Sequence, residues 1–317
     1  MESAMLGYQS SMIDSHALSQ LPDHSGKPRS AEVEFFAEPP AEIGKVLSAE
    51  STLQPGRQPM QFGARLLIGA VVGGVIFYGM LWAGSAANSF DRATLQALGV
   101  LLGLAALGIT LLVTRFKARS SYVGAQGAAC FVLKGRRDAK PKAQMLLFAN
   151  AQELRAKQTR QYVNGVYCGT SYDYLWTDPA GKRLWRMKGT YYQRKKGLKA
   201  GEQFRFIQAA EVAWSVHYLE RANKVLSTEG SIPFRVDKHR VLRVGPGFLE
   251  FHFGGEPVRL TQADIASVNL GNGMFQFKHK DAKWYSLSGK YSFQYGTMAN
   301  GRVFLLALEK LMGYQWQ

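Results

Sequence analysis

Two uncharged apolar segments, Leu66 to Ala87 and Ala93 to Thr114, stand five residues apart, and nothing else in the chain restricts the fold as strongly. Each is 22 residues long, and a helix needs roughly 20 apolar residues to cross the hydrocarbon core of a bilayer. The connector Asn88-Ser89-Phe90-Asp91-Arg92 is too short for a domain, so a transmembrane hairpin is expected, with both flanks on one side. Gly69 and Gly73 stand four apart in the first span, as Gly99 and Gly103 do in the second. Small residues at that spacing let backbones approach closely in lipid, so these four are expected to pack the hairpin. Neither span carries a charge, which argues against an ion path. Tyr78 and Trp82 suit an interfacial position. Arg57 and Arg65 precede the pair and Arg115, Lys117 and Arg119 follow it, whereas the connector has only Arg92 beside Asp91. The positive-inside bias therefore predicts an integral protein of an inner or plasma membrane with both termini cytoplasmic.

Charge is unevenly distributed. The net of +16 divides into −3 for residues 1–114 and +19 for residues 115–317. The basic part follows the hairpin directly, and on the cytoplasmic side it would meet a leaflet carrying anionic lipid. Residues 1–62 are rich in Ser, Pro, Gln and acid, with 8 acidic against 4 basic residues and no sustained periodicity. Such a segment buries too little apolar surface to offset its ordering entropy, so a disordered acidic tail is expected. Val33-Glu34-Phe35-Phe36 is a short apolar exception, and Ala41 to Ala49 has room for two helical turns. The start, Met1 to Ser11, has neither the basic nor the apolar stretch of a signal peptide, so the first helix is expected to direct insertion. Cys130 and Cys168 are too few for a disulfide framework or metal cluster and read as small apolar strand residues.

After residues 63–116, short strands are predicted over Ala129 to Leu133, Gln144 to Phe148, Lys157 to Val163, Val166 to Trp176 and Arg183 to Lys188. Asn164-Gly165 and Asp178-Pro179-Ala180-Gly181 supply turns. Alternation puts Tyr172, Tyr174 and Trp176 on one strand face, opposite either Leu184 and Arg186 or Trp185, according to register. A helical period follows from Phe206 to about Leu226. The order then recurs: strands over Ile232 to Val236, Val241 to Val244, Phe248 to Phe253, Val258 to Leu260, Ile265 to Asn269, Met274 to His279 and Trp284 to Ser288. A helix closes the chain over Asn300 to Met312, with Asn300 as N-cap and Gly313 as stop. Two modules result, 117–228 and 229–317, each many strands and a final helix.

The residues Val244-x-x-Gly247-Phe248, Val258-Arg259-Leu260-x-x-x-Asp264-Ile265, Gly273-Met274-Phe275-Gln276-Phe277 and Asn300-Gly301-x-Val303-Phe304-Leu305-x-x-Leu308 carry a resemblance to the pleckstrin-homology-like superfold, including its GRAM and bacterial variants. Over residues 60–314 the arrangement resembles a family of uncharacterised membrane-anchored proteins with a two-helix hairpin and tandem modules of this kind. The resemblance implies an α+β membrane protein with two β-barrels, each closed by a C-terminal helix. It also implies binding to anionic lipids, peptides or protein partners rather than chemistry.

Two basic clusters are the candidate lipid contacts: Lys134, Arg136, Arg137, Lys140 and Lys142 between two strands, and Arg194, Lys195, Lys196 and Lys199 before the first-module helix. Near an anionic surface each such residue contributes about 1 kcal/mol, screened by salt. Tyr191, Tyr192 and Trp185 lie among basic residues, but a membrane-tethered domain seldom meets nucleic acid, which is not expected as a partner. No HExxH, phosphate-loop or GxSxG motif is present, and His217, His239, His252 and His279 are scattered, so no enzyme, metal or cofactor is expected. The expectation is a recognition protein whose basic modules engage anionic lipid head groups or a membrane-associated protein. The alternative is a structural subunit that associates with another membrane protein through the glycine-rich hairpin.

Overall fold

A computed structural model of the chain describes residues 20–28, 33–56, 58–86, 92–193, 198, 201–283, 285 and 288–314, with the side chains of 83–93 left aside. The apolar segments form α1 (Phe62–Ala86) and α2 (Arg92–Val113), both long and apolar enough to span a membrane. Their large side chains, such as Leu67, Val75, Trp82, Leu101 and Leu112, are exposed, whereas Gly69, Gly73 and Gly99 are buried. Glycine inside and leucine outside is the reverse of a water-soluble helix pair. It suits a solvent as apolar as the side chains, where close backbone packing replaces hydrophobic burial as the cohesive force.

The hairpin is an insertion within a sheet. Strands β1 (Val46–Ser51), β2 (Lys117–Gly124), β3 (Gly127–Lys134) and β4 (Lys142–Leu147) make an antiparallel sheet in that order. Strand β1 precedes α1, yet its last residue Ser51 pairs with Ser120, beyond α2. The expectation of a disordered tail over residues 1–62 therefore fails for the described part, and the first module begins before the hairpin rather than at residue 117. Only Ala41–Ile43 is helical in the stretch expected to make two turns, as a single 3-10 turn. The reason is tertiary. Val46-Leu47-Ser48-Ala49-Glu50-Ser51 has little apolar periodicity of its own, and its ladder to β2 and the burial of Ala49 against Tyr122 and Phe131 supply the missing stabilisation. Phe35 packs on Tyr122, ring centroids 5.4 Å apart, and Glu34 bridges to Leu53.

Strands β5 (Glu153–Val163), β6 (Val166–Thr177) and β7 (Arg183–Tyr191) form a second sheet, followed by α3 (Gln203–Glu229). The Asn164-Gly165 turn has both residues at positive φ, 48° and 78°, the backbone that a two-residue hairpin demands. Register places Trp185 opposite Trp176 and Met187 opposite Tyr174. The second half repeats the plan. Strands β8 (Ile232–Arg235), β9 (Val241–Gly245), β10 (Phe248–His252) and β11 (Val258–Thr261) form one sheet, and β12 (Ile265–Gly271), β13 (Met274–His279) and β14 (Lys290–Gln294) another, before α4 (Gly301–Met312). The last strand lies later than the expected Trp284 to Ser288. Of that stretch, Tyr285 and Ser288 are in turns, and Trp284, Ser286 and Leu287 lie outside the described residues.

The expected closed barrels are not formed. Among the described residues the strands divide into four separate antiparallel sheets, of four, three, four and three strands, none closed on itself. Closure requires neighbouring strands about 4.8 Å apart, whereas packed faces stand about 10 Å apart with side chains between them. Here Phe148, Trp176, Trp185, Phe204, Phe206 and Trp214 fill that interior, and one core continues from there through Phe234, Phe275 and Phe304. The two halves therefore share a core. Asn300 pins them together, as a buried residue in the left-handed region (φ 55°). Its Oδ1 accepts from the Leu154 amide and from Trp214 Nε1, both at 3.0 Å, and its own amide donates to the Leu154 carbonyl at 2.7 Å. The side chain does not cap α4, because the other half of the molecule engages it.

Candidate functional site

The foot of the hairpin is built from residues on both sides of it. Arg65, near the start of α1, donates from Nε to Thr114 Oγ1 at 3.1 Å and from Nη2 to the Leu111 carbonyl. That guanidinium satisfies a carbonyl in the last turn of α2 and places positive charge at the negative end of its dipole. Below it, Leu53, Phe116, Ala118 and Leu133 form a small buried cluster, with Phe36 and Ala139 against it. Strand β2 starts at Lys117, so only Thr114, Arg115 and Phe116 separate it from α2. Three residues reach about 10 Å at most.

The first basic cluster lies at this place. The Gly135 amide donates to the Phe116 carbonyl at 2.9 Å, which holds the β3–β4 loop against the helix exit. Ala139 anchors the same loop in the apolar cluster. Lys134, Arg136, Lys140 and Lys142 are exposed. Arg137 differs from them, since its guanidinium pairs with the Glu34 carboxylate of the preceding segment. Lys117 and Lys134 stand directly opposite in the β2–β3 ladder, and both are exposed. Like charges so placed destabilise a strand pair, and an anionic surface beside them would offset the cost. Arg65, Lys117 and Glu34 belong to this site, yet sequence reasoning used the first two only for orientation and did not use Glu34. Their signal was adjacency to the span ends; that of the Glu34 contact was only the acidic excess of residues 1–62, which could fold back onto the basic part of the chain. Arg194, Lys195, Lys196 and Lys199 lie outside the described residues.

The hairpin glycines meet across the helix pair. A Cβ on Gly73 would lie 2.7 Å from the Gly103 carbonyl oxygen, and one on Gly103 would lie 3.0 Å from that of Gly73. Gly69 and Gly99 face Leu107 and Phe77 respectively. Gly74, Gly79 and Gly108 have nothing within 4 Å.

A buried polar seam ties the N-terminal segment to the same sheet. His24 bridges Ser48 and Ser121 through its two ring nitrogens, each at 2.9 Å. Beside it the Glu50 carboxylate accepts from the Gly201 amide, and Arg205 pairs with Asp23 at 3.3 Å. Burial pushes the Glu50 carboxyl upward, opposed by that amide and by the charges of Arg205 and Arg119. Among the described residues no group of three His, Cys, Asp or Glu is placed to hold a metal ion. No family model matches the chain, and no curated protein matches it.

Proposed function

We propose that this is a membrane-anchored recognition protein whose β3–β4 loop rests on anionic lipid head groups at the foot of a bilayer-spanning hairpin. The observation that carries the reading is the Gly135 to Phe116 hydrogen bond, which keeps the β3–β4 loop and the strand ends flanking it, with four exposed cations in all, close to the end of an apolar helix. The three residues between α2 and β2 reach about 10 Å at most, comparable to the Debye length of about 8 Å at physiological ionic strength, so head-group charge there is only partly screened. Tethering supplies a high effective concentration of surface, and weak contacts then suffice. The alternative, recruitment of another membrane protein through the glycine seam, draws no support from Gly73 and Gly103, since these face each other.

The test follows from the topology. A fragment starting at residue 120 would lack β1 and the start of β2, so the appropriate soluble variant replaces residues 56–115 by a short Gly-Ser linker. It is expected to sediment with vesicles containing phosphatidylserine and not with phosphatidylcholine alone, less so as salt rises. The quadruple change K134Q/R136Q/K140Q/K142Q, which spares the Glu34 partner Arg137, should weaken binding by roughly a hundredfold or more, at about 1 kcal/mol per residue. Equal sedimentation with both vesicle types, or of both proteins, would remove lipid contact from the reading.

A further inference from the structure

A second site lies away from the foot of the hairpin. Between the two halves runs a groove of about 1000 Å³, walled by β5 and α3 on one side and by the β12–β13 turn, Gln294–Gly296 and the start of α4 on the other. Organic ligands and short peptide segments occupy clefts of this size. Strand β5 pairs with β6 along its whole length. On its other edge the described residues offer one ladder partner, Ala299 opposite Arg155. Gly296 packs against Lys157; from Gln158 to Val163 the described residues offer that edge no ladder partner, and every residue there is exposed.

The phase of the free edge follows from the pairing that precedes it. Leu154 turns its carbonyl away from β6 to accept from Asn300, and in an antiparallel ladder alternate residues share that direction. Gln158 and Arg160 therefore present amide and carbonyl groups to the groove, before the bulge between Gln161 and Tyr162. The edge is rigid at this point. The Gln158 side chain donates to Tyr174 Oη at 2.9 Å and accepts from Tyr191 Oη at 3.2 Å. Charge adds direction to the backbone template. Among the described residues, Lys157, Arg160 and Arg302 line the groove against one acid, Glu211, whose carboxylate accepts from the Tyr174 hydroxyl at 3.2 Å.

We propose that the groove takes an extended acidic segment of a partner protein, which adds as a strand to the free edge of β5 at Gln158 and Arg160 and sets its carboxylates on Lys157, Arg160 and Arg302. Backbone pairing would supply affinity, and alternate side chains the choice of partner. An unpaired edge of this length otherwise invites pairing with any chain, and its cationic flanks restrict it to acidic ones.

The experiment uses the full chain in detergent micelles and a fluorescein-labelled decapeptide of alternating Glu and Val, read by anisotropy. Binding is expected, with roughly tenfold or greater weakening by K157Q/R160Q, two exposed side chains whose loss leaves the core intact. A decapeptide N-methylated at alternate residues, unable to pair as a strand, should not bind. Nor should one with Gln for Glu. The loop variant K134Q/R136Q/K140Q/K142Q should bind the peptide like the parent, so failure here is separable from failure of the lipid reading. Absence of binding, equal binding of the N-methylated peptide, or indifference to K157Q/R160Q would overturn the proposal. So would inositol hexakisphosphate matching the peptide in affinity at the same residues, or light scattering showing that the edge pairs copies of this chain.

Discussion

At Asn300 one side chain decides how two halves of the chain meet. Its Oδ1 receives two buried donors, Leu154 N–H and Trp214 Nε1–H, and its backbone sits at φ 55°. Replacing it by alanine leaves both donors unpaired, at about 1–3 kcal/mol each, and adds roughly 1 kcal/mol for a Cβ-bearing residue without a local hydrogen bond in the left-handed region. Asn300→Ala should therefore lower stability by about 3 kcal/mol or more in chemical denaturation followed by tryptophan fluorescence. Asn300→Gly should lose about 1 kcal/mol less, because glycine relieves the backbone but not the donors. Equal losses would assign the whole effect to the side chain. Sequence reasoning found Asn300 as a helix cap, since capping is a local pattern. Its partners lie 146 and 86 residues away, where no periodicity reaches.

Among the elements, the apolar helices were legible and the inserted strand was not. Hydropathy over a span is a local sum, so α1 and α2 stand within a few residues of the expected bounds. Strand β1 has its partner on the far side of the hairpin, and its six residues carry no alternation that would reveal it. Strand β14 was misplaced because the aromatic stretch before it reads as strongly extended, whereas Tyr291 and Phe293 are the residues that pack against Phe251 and Phe275. The helix pair itself gives a sharp contrast between adjacent glycines. Gly73→Leu places side-chain atoms where the Gly103 carbonyl already lies, whereas Gly74→Leu enters open space. The first should lower the thermal midpoint of the purified protein in detergent and expose α1 to protease; the second should change neither. Equal behaviour would mean that the helices are not packed through Gly73.

For the whole molecule, the ladder between β1 and β2 restricts the topology of the proposed membrane anchor independently of any charge rule. Ser51 and Ser120 are paired residues of one sheet, so the intervening helices must leave and return on the same face. Cysteines introduced at Lys27, before the hairpin, and at Lys224, on α3, are both exposed positions. In a background with Cys168 replaced, a membrane-impermeant maleimide should label both from the same side of sealed vesicles. Labelling from opposite sides would contradict the sheet. The basic loop was visible in the sequence as a run of charge, but its place beside Phe116 depends on strands that must pair first.

What the chain determined by itself was whatever depends on neighbours within a few residues: two apolar helices, the hairpin turn at Asn164-Gly165, the strand-rich order and the excess of positive charge after residue 114. The tertiary structure alone decided that the sheets stay open, that β1 crosses the hairpin to find β2, and that the two halves share a core through Asn300. The reason is physical. Strand pairing and aromatic packing draw their free energy from residues far apart in sequence, and which partners meet is settled only when the whole interior is filled.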